Sequence, residues 1–156
     1  LARIDNDQAE KLSNVVVKDN DVLLNITGAS VARCCLVKSD SLPARVNQHV
    51  SIIRLKENTV IPKFLMYGLV SKPFKDELLQ VGESNGATRQ AITKKQIEEF
   101  KFTYPSNLKL QTEILDKLDK ISAHSLKMEE IYKNQLDQYR ALKSAILSKE
   151  LQAKAI

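Results

Sequence analysis

The clearest pattern of apolar and polar positions lies towards the carboxyl end of the chain, from Leu110 to Leu151. These roughly forty residues contain neither Gly nor Pro, and a Pro105-Ser106-Asn107 break precedes them. At a rise of 1.5 Å per residue, a helix of this length spans roughly 60 Å. That is well beyond the average helix of a globular protein. The pattern therefore predicts one long helix that follows a compact domain.

Apolar side chains recur along this predicted helix in a heptad repeat. The a positions are Leu118, Ser125, Tyr132, Tyr139 and Ile146, and the d positions are Ile114, Ile121, Met128, Gln135 and Leu142. Eight of these ten residues, all except Ser125 and Gln135, are apolar or aromatic, which is typical of a coiled coil. These eight residues are hereafter called the seam. Leu115, Ile131 and Leu136 widen the stripe at e and g positions, which favours more than one partner surface. Because the helix is too long to bury its seam on the modest domain before it, we expect a spacer or a docking element.

The residues before the helix favour short strands and short helices. Strands are predicted at 15–17, 22–26, 31–37 and within 46–55, helices at 62–70 and from Pro73 through Leu79, a capping box at Thr93–Gln96, and a half-buried strand at 100–104. The predicted fold class is α+β. A small, mixed, β-rich domain with short helices occupies residues 1–106, and one long C-terminal coiled-coil helix occupies residues 107–156.

Composition permits a packed core and favours a soluble chain. The 156 residues are 43% hydrophobic and 28% charged, with a formal net charge of +5 and a pI near 9.2. A basic balance favours a polyanionic partner. The basic residues are nevertheless spread out, since residues 1–106 hold 15 basic and 12 acidic side chains and residues 107–156 hold 9 and 7. A nucleic-acid surface therefore has to come from local clustering.

Cysteine usage and hydropathy narrow the class of protein further. Cys34 and Cys35 are adjacent, so in a strand they point to opposite faces, and they lack the spacing of a disulfide framework or a metal site. Reduced thiols in a cytosolic protein are the better interpretation. No apolar run is long enough to cross a membrane, and no segment resembles a signal peptide. Because the chain begins at Leu1 without Met, we expect trimming or a fragment.

Several segments occur in an order that resembles a known family. They are Asp21-Val-Leu-Leu-Asn-Ile-Thr-Gly28, Val46-Asn-Gln-His-Val50, Gly86-Ala-Thr-Arg-Gln-Ala-Ile92, Phe102-Thr-Tyr-Pro105 with Gln111, and Tyr139-Arg-Ala-Leu-Lys-Ser-Ala-Ile-Leu-Ser148. Each segment alone is a weak pattern, but the ordered set covers nearly the whole chain. Together with the long helix it resembles a target recognition domain and conserved-region helix of the DNA specificity subunit of type I restriction-modification systems.

The chain departs from this family's pattern in two places. Leu110 precedes Gln111 where the family usually has Glu, and only twenty residues precede Asp21 where the family usually has more. The resemblance therefore implies an N-terminally incomplete unit, most simply the C-terminal one. A complete subunit resembles two such units whose helices pack antiparallel as a ruler.

The resemblance also implies that this chain recognises DNA and catalyses no reaction itself. The domain would recognise one half of a bipartite double-stranded DNA target. The helix would set the distance to a second recognition unit, or pair with a second copy in a homodimer, and would dock methyltransferase (modification) subunits. We expect no cofactor on this chain; S-adenosylmethionine, ATP and Mg would belong to the modification and restriction/motor subunits, in the bacterial or archaeal cytoplasm.

DNA recognition requires cations for phosphates and planar hydrogen-bonding groups for base edges. Three segments of the sequence supply such groups. The candidates are Thr27, Ser30 and Arg33 around a glycine turn, Asn47 and Gln48 in a second segment, and Ser84, Asn85, Gly86, Thr88, Arg89 and Gln90 in a third, followed by Lys94 and Lys95. Gly86 would let backbone amides approach a phosphate closely.

Each of these segments has a structural interpretation that stays open. The third segment can be an ordinary surface loop, and Gly28 also suits a plain hairpin turn. The polar side chains of residues 47–49 can instead tie the fold together. His49 is more often a hydrogen-bonded structural residue than a proton shuttle.

Two other functions remain as alternatives. A coiled-coil adaptor or interaction protein would use the helix and a protein-binding head, with no DNA binding. A nuclease would use Glu99-Phe100-Lys101, which has the spacing of many restriction enzymes, but no Pro-Asp pair precedes it and three residues match easily by chance. The sequence contains no phosphate-cradling glycine-lysine loop, no dinucleotide fingerprint and no Asn-Pro-Pro-aromatic signature. We therefore propose no catalytic or metal-ligating residue.

Overall fold

A computed structural model describes residues 3–83 and 91–153. Its elements are helix α1 (Asn6–Lys11), strands β1 (Val22–Asn25), β2 (Cys34–Leu36) and β3 (Val50–Ile53), and helices α2 (Pro62–Val70), α3 (Lys72–Glu83), α4 (Lys94–Glu99) and α5 (Leu108–Ala153), with short 3-10 turns at Ser13–Val15, Gly28–Ser30 and Ser39–Ser41. The chain forms two compact units, Leu1–Thr112 and Glu113–Ile156. A small sheet, short helices and one long C-terminal helix confirm the predicted α+β class.

The three strands form one antiparallel sheet in the order β2-β1-β3. In the central strand, Val22 pairs with Leu36 on one side and with Ile53 on the other. Val22 and Leu24 are both 0% exposed, because alternate residues of a strand face the same side. The hydrophobic core contains Val22, Val31, Ala32, Val60, Leu65, Leu69, Leu78 and Ile92. The sheet therefore packs on α2, and α3 packs on α2 and adds Leu78 to the same core.

A buried carboxylate fixes the entry to β1. Asp21 is 1% exposed, and its two oxygens accept hydrogen bonds from Nε and Nη2 of Arg54, each at 2.7 Å. The backbone N–H of Lys18 donates to the same carboxylate at 2.7 Å. Burial alone would raise the pKa of Asp21, but the hydrogen bonds from Arg54 and Lys18 and the charge of Arg54 hold that pKa below its ordinary value. The ion pair therefore joins the residue before β1 to the residue after β3.

The strand predicted at 15–17 is wrong. Residues Ser13–Val15 form a 3-10 turn, and Val16 makes only an isolated antiparallel bridge to Arg45. β-branched residues favour an extended backbone, but a strand also needs a continuous partner. Here that partner is a single residue long.

The strand predicted at 100–104 is also wrong. The alternating aromatic residues serve ring packing, since the Phe102 ring centroid lies 4.9 Å from that of Phe74 and 6.5 Å from that of Phe64. A Cβ placed on Gly68 of α2 would overlap the Phe102 ring. Glycine at this position therefore lets the helix approach the ring closely.

The long helix predicted at 110–151 is present as α5, which has 46 residues and spans about 70 Å. It begins earlier than predicted because Asn107 caps it. The Asn107 side-chain oxygen accepts from the N–H of Lys109 at 2.9 Å, which satisfies one of the free donors of the first turn. The predicted capping box of α4, between Thr93 and Gln96, is confirmed.

Gln111 anchors the first turn of α5 within the first unit. Its side chain is 0% exposed, and its oxygen accepts from the N–H of Ile61 at 2.9 Å. Its amide nitrogen donates to the carbonyls of Thr59 at 2.9 Å and Pro105 at 2.7 Å. One side chain therefore satisfies three backbone groups from two loops.

Leu115, next along the helix, is 7% exposed, but the apolar residues that follow residue 119 lie in solvent. Every side chain from residue 120 to residue 152 is exposed, including the seam residues Tyr139 at 69%, Ile121 at 64% and Met128 at 49%. Ile114 and Leu118 are half-buried. The other predicted seam residues, Tyr132, Leu142 and Ile146, are likewise exposed.

Among the described helices, none is long and apolar enough to cross a membrane.

Candidate nucleic-acid interface

A bulge shapes the turn between β1 and β2. The N–H of Asn25 donates to the carbonyl of Arg33 at 2.8 Å, and the N–H of Ala32 donates to the carbonyl of Asn25 at 2.9 Å. Ala32 and Arg33 on one strand therefore lie opposite the single residue Asn25 on the other. Ala32 has the left-handed φ of 62° that this kind of bulge needs. The bulge interrupts regular pairing, which explains why the strand predicted at 31–37 is reduced to β2.

The turn meets the loop that precedes β3. Thr27 Oγ1 lies 2.7 Å from His49 Nδ1, and the N–H of Ile26 donates to the His49 carbonyl at 2.9 Å. The side-chain oxygen of Asn47 accepts from the N–H of His49 at 3.0 Å. Two of the segments selected from the sequence therefore converge, although 22 positions separate Thr27 from His49.

An open cavity of about 370 Å³ lies where the two segments meet. Its lining residues are Asn25, Thr27, Gly28, Ala29, Ser30, Asn47, His49 and Val50. Amide, hydroxyl and imidazole groups provide the polar part of this lining. Such groups bind base edges and phosphate oxygens in protein–DNA complexes. The cavity is therefore chemically suited to a nucleic acid.

The residue that follows the third segment in the sequence pairs with a residue that lines the cavity. Ser84, Asn85, Gly86, Thr88, Arg89 and Gln90 lie outside the described residues, so the structure does not test them. Ala91, the next residue of the chain, forms an antiparallel bridge with Thr27. The N–H of Ile92 donates to the carbonyl of Ile26 at 2.8 Å. The structure thus fixes the residue that follows the segment beside a residue that lines the cavity.

The remaining candidates, Arg33, Gln48, Lys94 and Lys95, are exposed, and within the described chain they do not line the cavity. The ammonium group of Lys94 lies 3.6 Å from a Glu98 oxygen, and that of Lys95 lies 3.8 Å from a Glu99 oxygen. Exposed pairs of this kind contribute little, so a phosphate can compete for either lysine.

Glu99, the acid of the nuclease alternative, belongs to one of these helix-surface ion pairs. Within residues 3–83 and 91–153, no three His, Cys, Asp or Glu side chains cluster in a way that could hold a metal ion. The structure adds no support for that alternative beyond the three-residue spacing.

The cysteines are free thiols. Cys34 Sγ lies 3.5 Å from the carbonyl of Met66 and donates to it, and burial, with a smaller contribution from Cys35, raises the pKa of the Cys34 thiol to about 11. Because the thiolate is the reactive form, the raised pKa disfavours reaction of Cys34 at neutral pH.

The sequence alone missed Asn25 and set His49 aside. Asn25 accepts from the N–H of Thr27 at 3.1 Å, and an Asn two residues before a turn residue is a recognisable local signal for such a bond. The Thr27–His49 contact has no local signal, because it depends on the pairing of β1 with β3.

Comparison with known families identifies the family of this chain. The sequence matches the family model of the type I restriction modification DNA specificity domain over residues 3–138. A search of curated proteins found no match. The matched range includes the cavity, the bridge to Ala91 and the first part of α5. Specificity domains of this family are non-catalytic. The chain belongs to the type I restriction modification DNA specificity domain family.

Proposed function

We propose that this chain is a sequence-specific DNA recognition module of a type I restriction-modification complex, and that it recognises one half of a bipartite target. Family membership supports DNA recognition within such a complex. The observation that supports the site most strongly is the convergence of residues 27–30 and 47–49 on one polar cavity.

Recognition divides between positioning and discrimination. Exposed cations such as Arg33, Lys94 and Lys95 supply phosphate contacts, which orient the domain without sequence information. The amide and hydroxyl groups of the cavity contact base edges or the adjoining backbone. Arg89 keeps its sequence-based role as a candidate for a guanine contact.

In this proposal α5 is a spacer and a docking surface. Its exposed seam supports pairing with the helix of a second recognition unit, or of a second copy in a homodimer. The other faces dock methyltransferase subunits. Methylation with S-adenosylmethionine belongs to those partners, and ATP- and Mg-dependent cleavage belongs to the restriction/motor subunit.

The salt dependence of DNA binding tests this function against the adaptor alternative, which the exposed seam also supports. Contacts to phosphates release counterions, so the logarithm of the association constant falls linearly with the logarithm of salt concentration. Fluorescence anisotropy with a labelled duplex measures this slope. We expect a steep negative slope for the parent chain, and a slope smaller by about 2 for a Lys94→Gln/Lys95→Gln variant. Absence of binding at low salt would leave the adaptor as the better explanation.

A further inference from the structure

The cavity beside Thr27 presents an excess of hydrogen-bond donors. The backbone N–H of Thr27 donates to Asn25 Oδ1, and the backbone N–H of His49 donates to Asn47 Oδ1. A backbone N–H can only donate, so each atom that it meets must be the oxygen of the amide. This fixes which end of each Asn side chain is the nitrogen. Within the described residues, neither Asn25 Nδ2 nor Asn47 Nδ2 donates to a protein acceptor.

The Thr27–His49 pair adds one more donor to the cavity. If Nδ1 carries the proton, it donates to Thr27 Oγ1, and the threonine hydroxyl hydrogen is left to point elsewhere. If Nδ1 is bare, the threonine hydroxyl donates to it, and the N–H on Nε2 faces the Gln48 Nε2 amide, 3.4 Å away, which is itself a donor. The first arrangement instead lets Nε2 accept from Gln48, and it leaves the threonine hydroxyl hydrogen for a ligand. Ser30, which also lines the cavity, supplies a further hydroxyl.

Acidic side chains are absent from the lining of this cavity within the described part of the chain. Donors without opposing carboxylates suit a ligand that offers acceptors only. In the major groove, guanine presents two acceptors, O6 and N7, and thymine presents one, O4, whereas adenine and cytosine each present an amino donor. Only guanine therefore offers one acceptor for each of the two asparagine amides. Phosphate oxygens are also acceptors only.

We propose that the cavity formed by Asn25, Thr27, Ser30, Asn47 and His49 binds an acceptor-only group of the DNA, which is either the O6/N7 edge of a guanine or the oxygens of a backbone phosphate. This inference rests on the proposed function and adds to it a specific site with two residues, Asn25 and His49, that the sequence did not select. Thr27 and the two asparagines are held in place before the ligand arrives, because their acceptor atoms already bond to the protein.

The matched substitutions are Asn25→Asp and Asn47→Asp. Each keeps the oxygen that accepts the backbone N–H, and each replaces the outward amide donor by a second acceptor oxygen. Asn134→Asp is the control, because it adds the same charge at an exposed position of α5. Thr27→Val removes one hydroxyl with little change of shape and adds no charge. Circular dichroism of the full-length chains checks that all four variants fold.

The probe is the duplex population that the parent chain enriches from a randomised, fluorescein-labelled pool. We expect both cavity variants to bind it about tenfold more weakly than Asn134→Asp, with a smaller loss for Thr27→Val. Equal affinities of Asn25→Asp, Asn47→Asp and the control would overturn the assignment. Failure of the parent chain to bind or enrich any duplex would instead contradict the proposed function itself, so the two failures are distinguishable.

The enriched population is then amplified with 7-deazaguanine, which lacks the N7 acceptor, in place of guanine. This modification distinguishes a guanine edge from a backbone phosphate as the bound group. For a guanine edge, the parent chain loses affinity for the modified duplexes, and at least one of Asn25→Asp and Asn47→Asp costs less affinity on the modified duplexes than on the unmodified ones. For a phosphate, the parent chain binds both populations equally, and the variants are weakened equally on both. A population in which the variant-sensitive position is an adenine, a cytosine or a thymine would also overturn the proposal.

Discussion

At the residue scale, Asp21 links acidity to stability. Its pKa is held below the ordinary value in the folded chain, so the carboxylate contributes stability above the unfolded pKa of about 4. That contribution is lost as the pH falls from there through the lower, folded pKa. We expect Asp21→Asn to cost about 2 kcal/mol at neutral pH, and the cost to shrink towards pH 3. Urea denaturation at the two pH values measures this, with the exposed Asp19→Asn as control. An equal cost of Asp21→Asn at both would contradict the argument.

Gly28 tests backbone strain separately from packing. Its φ is +76°, and no atom lies within 4 Å of a Cβ placed there. A side chain would therefore meet no neighbour and would cost only the left-handed conformation, about 1 kcal/mol. We expect Gly28→Ala to lower the free energy of unfolding by that amount, whereas Ala29→Ser, in the same turn and without a positive φ, should change it less. Unchanged stability of Gly28→Ala would show that the turn adapts.

A sequence reveals site residues whose hydrogen-bond partners are close in the chain, and it does not reveal those whose partners are distant. Thr27 stands out because it lies next to a glycine turn, and Asn47 because it begins a run of polar residues; such residues serve mainly turn bonds or ligand contact. His49 could not be assigned in this way, since its partner is 22 positions away and is fixed by strand register. Arg89 and its neighbours stay a prediction from sequence.

At the scale of elements, Gln111 determines how securely α5 begins. Replacing it by Leu leaves the Ile61 N–H and the carbonyls of Thr59 and Pro105 without their partner, and each buried, unsatisfied group costs about 1–3 kcal/mol. We expect Gln111→Leu to lower the free energy of unfolding by about 3 kcal/mol or more. Urea denaturation measures the loss, and faster amide exchange at Ile61 shows its location.

Thr112 provides the matched control in the same turn. Its exposed hydroxyl donates only to the carbonyl of Leu108, so Thr112→Val should be nearly neutral. Equal losses for Gln111→Leu and Thr112→Val would mean that the anchor does not depend on the three buried bonds.

Elements defined by long local patterns were predictable, and those defined by tertiary partners were not. The heptad repeat and the Pro105-Ser106-Asn107 break were sufficient for α5, and Thr93 with Gln96 was sufficient for the start of α4. Residues 100–104 alternate with the period of a strand, but the same spacing places Phe102 against Gly68 of α2. Whether such a segment forms a strand or packs its rings on a helix depends on contacts with residues distant in the sequence.

At the scale of the whole molecule, the exposed seam predicts self-association of the isolated chain. A partner helix removes the apolar side chains from water, and two copies with a two-fold axis are the simplest arrangement. We expect a dimer by sedimentation at micromolar concentration, and a monomer for Leu142→Lys/Ile146→Lys, whose sites are 57% and 52% exposed in the single chain.

The control for the seam is Ala141→Lys/Ser144→Lys, which adds the same charge at exposed positions outside it. This variant should remain dimeric. A parent chain that stays monomeric at high concentration would contradict the role of the seam, without bearing on the cavity.

The central claim is that this chain recognises a DNA sequence, and selection from a randomised duplex pool followed by sequencing tests it most directly. The account predicts that the parent chain, at physiological salt, enriches duplexes that share one short motif. A bound fraction as random as the input pool would contradict it.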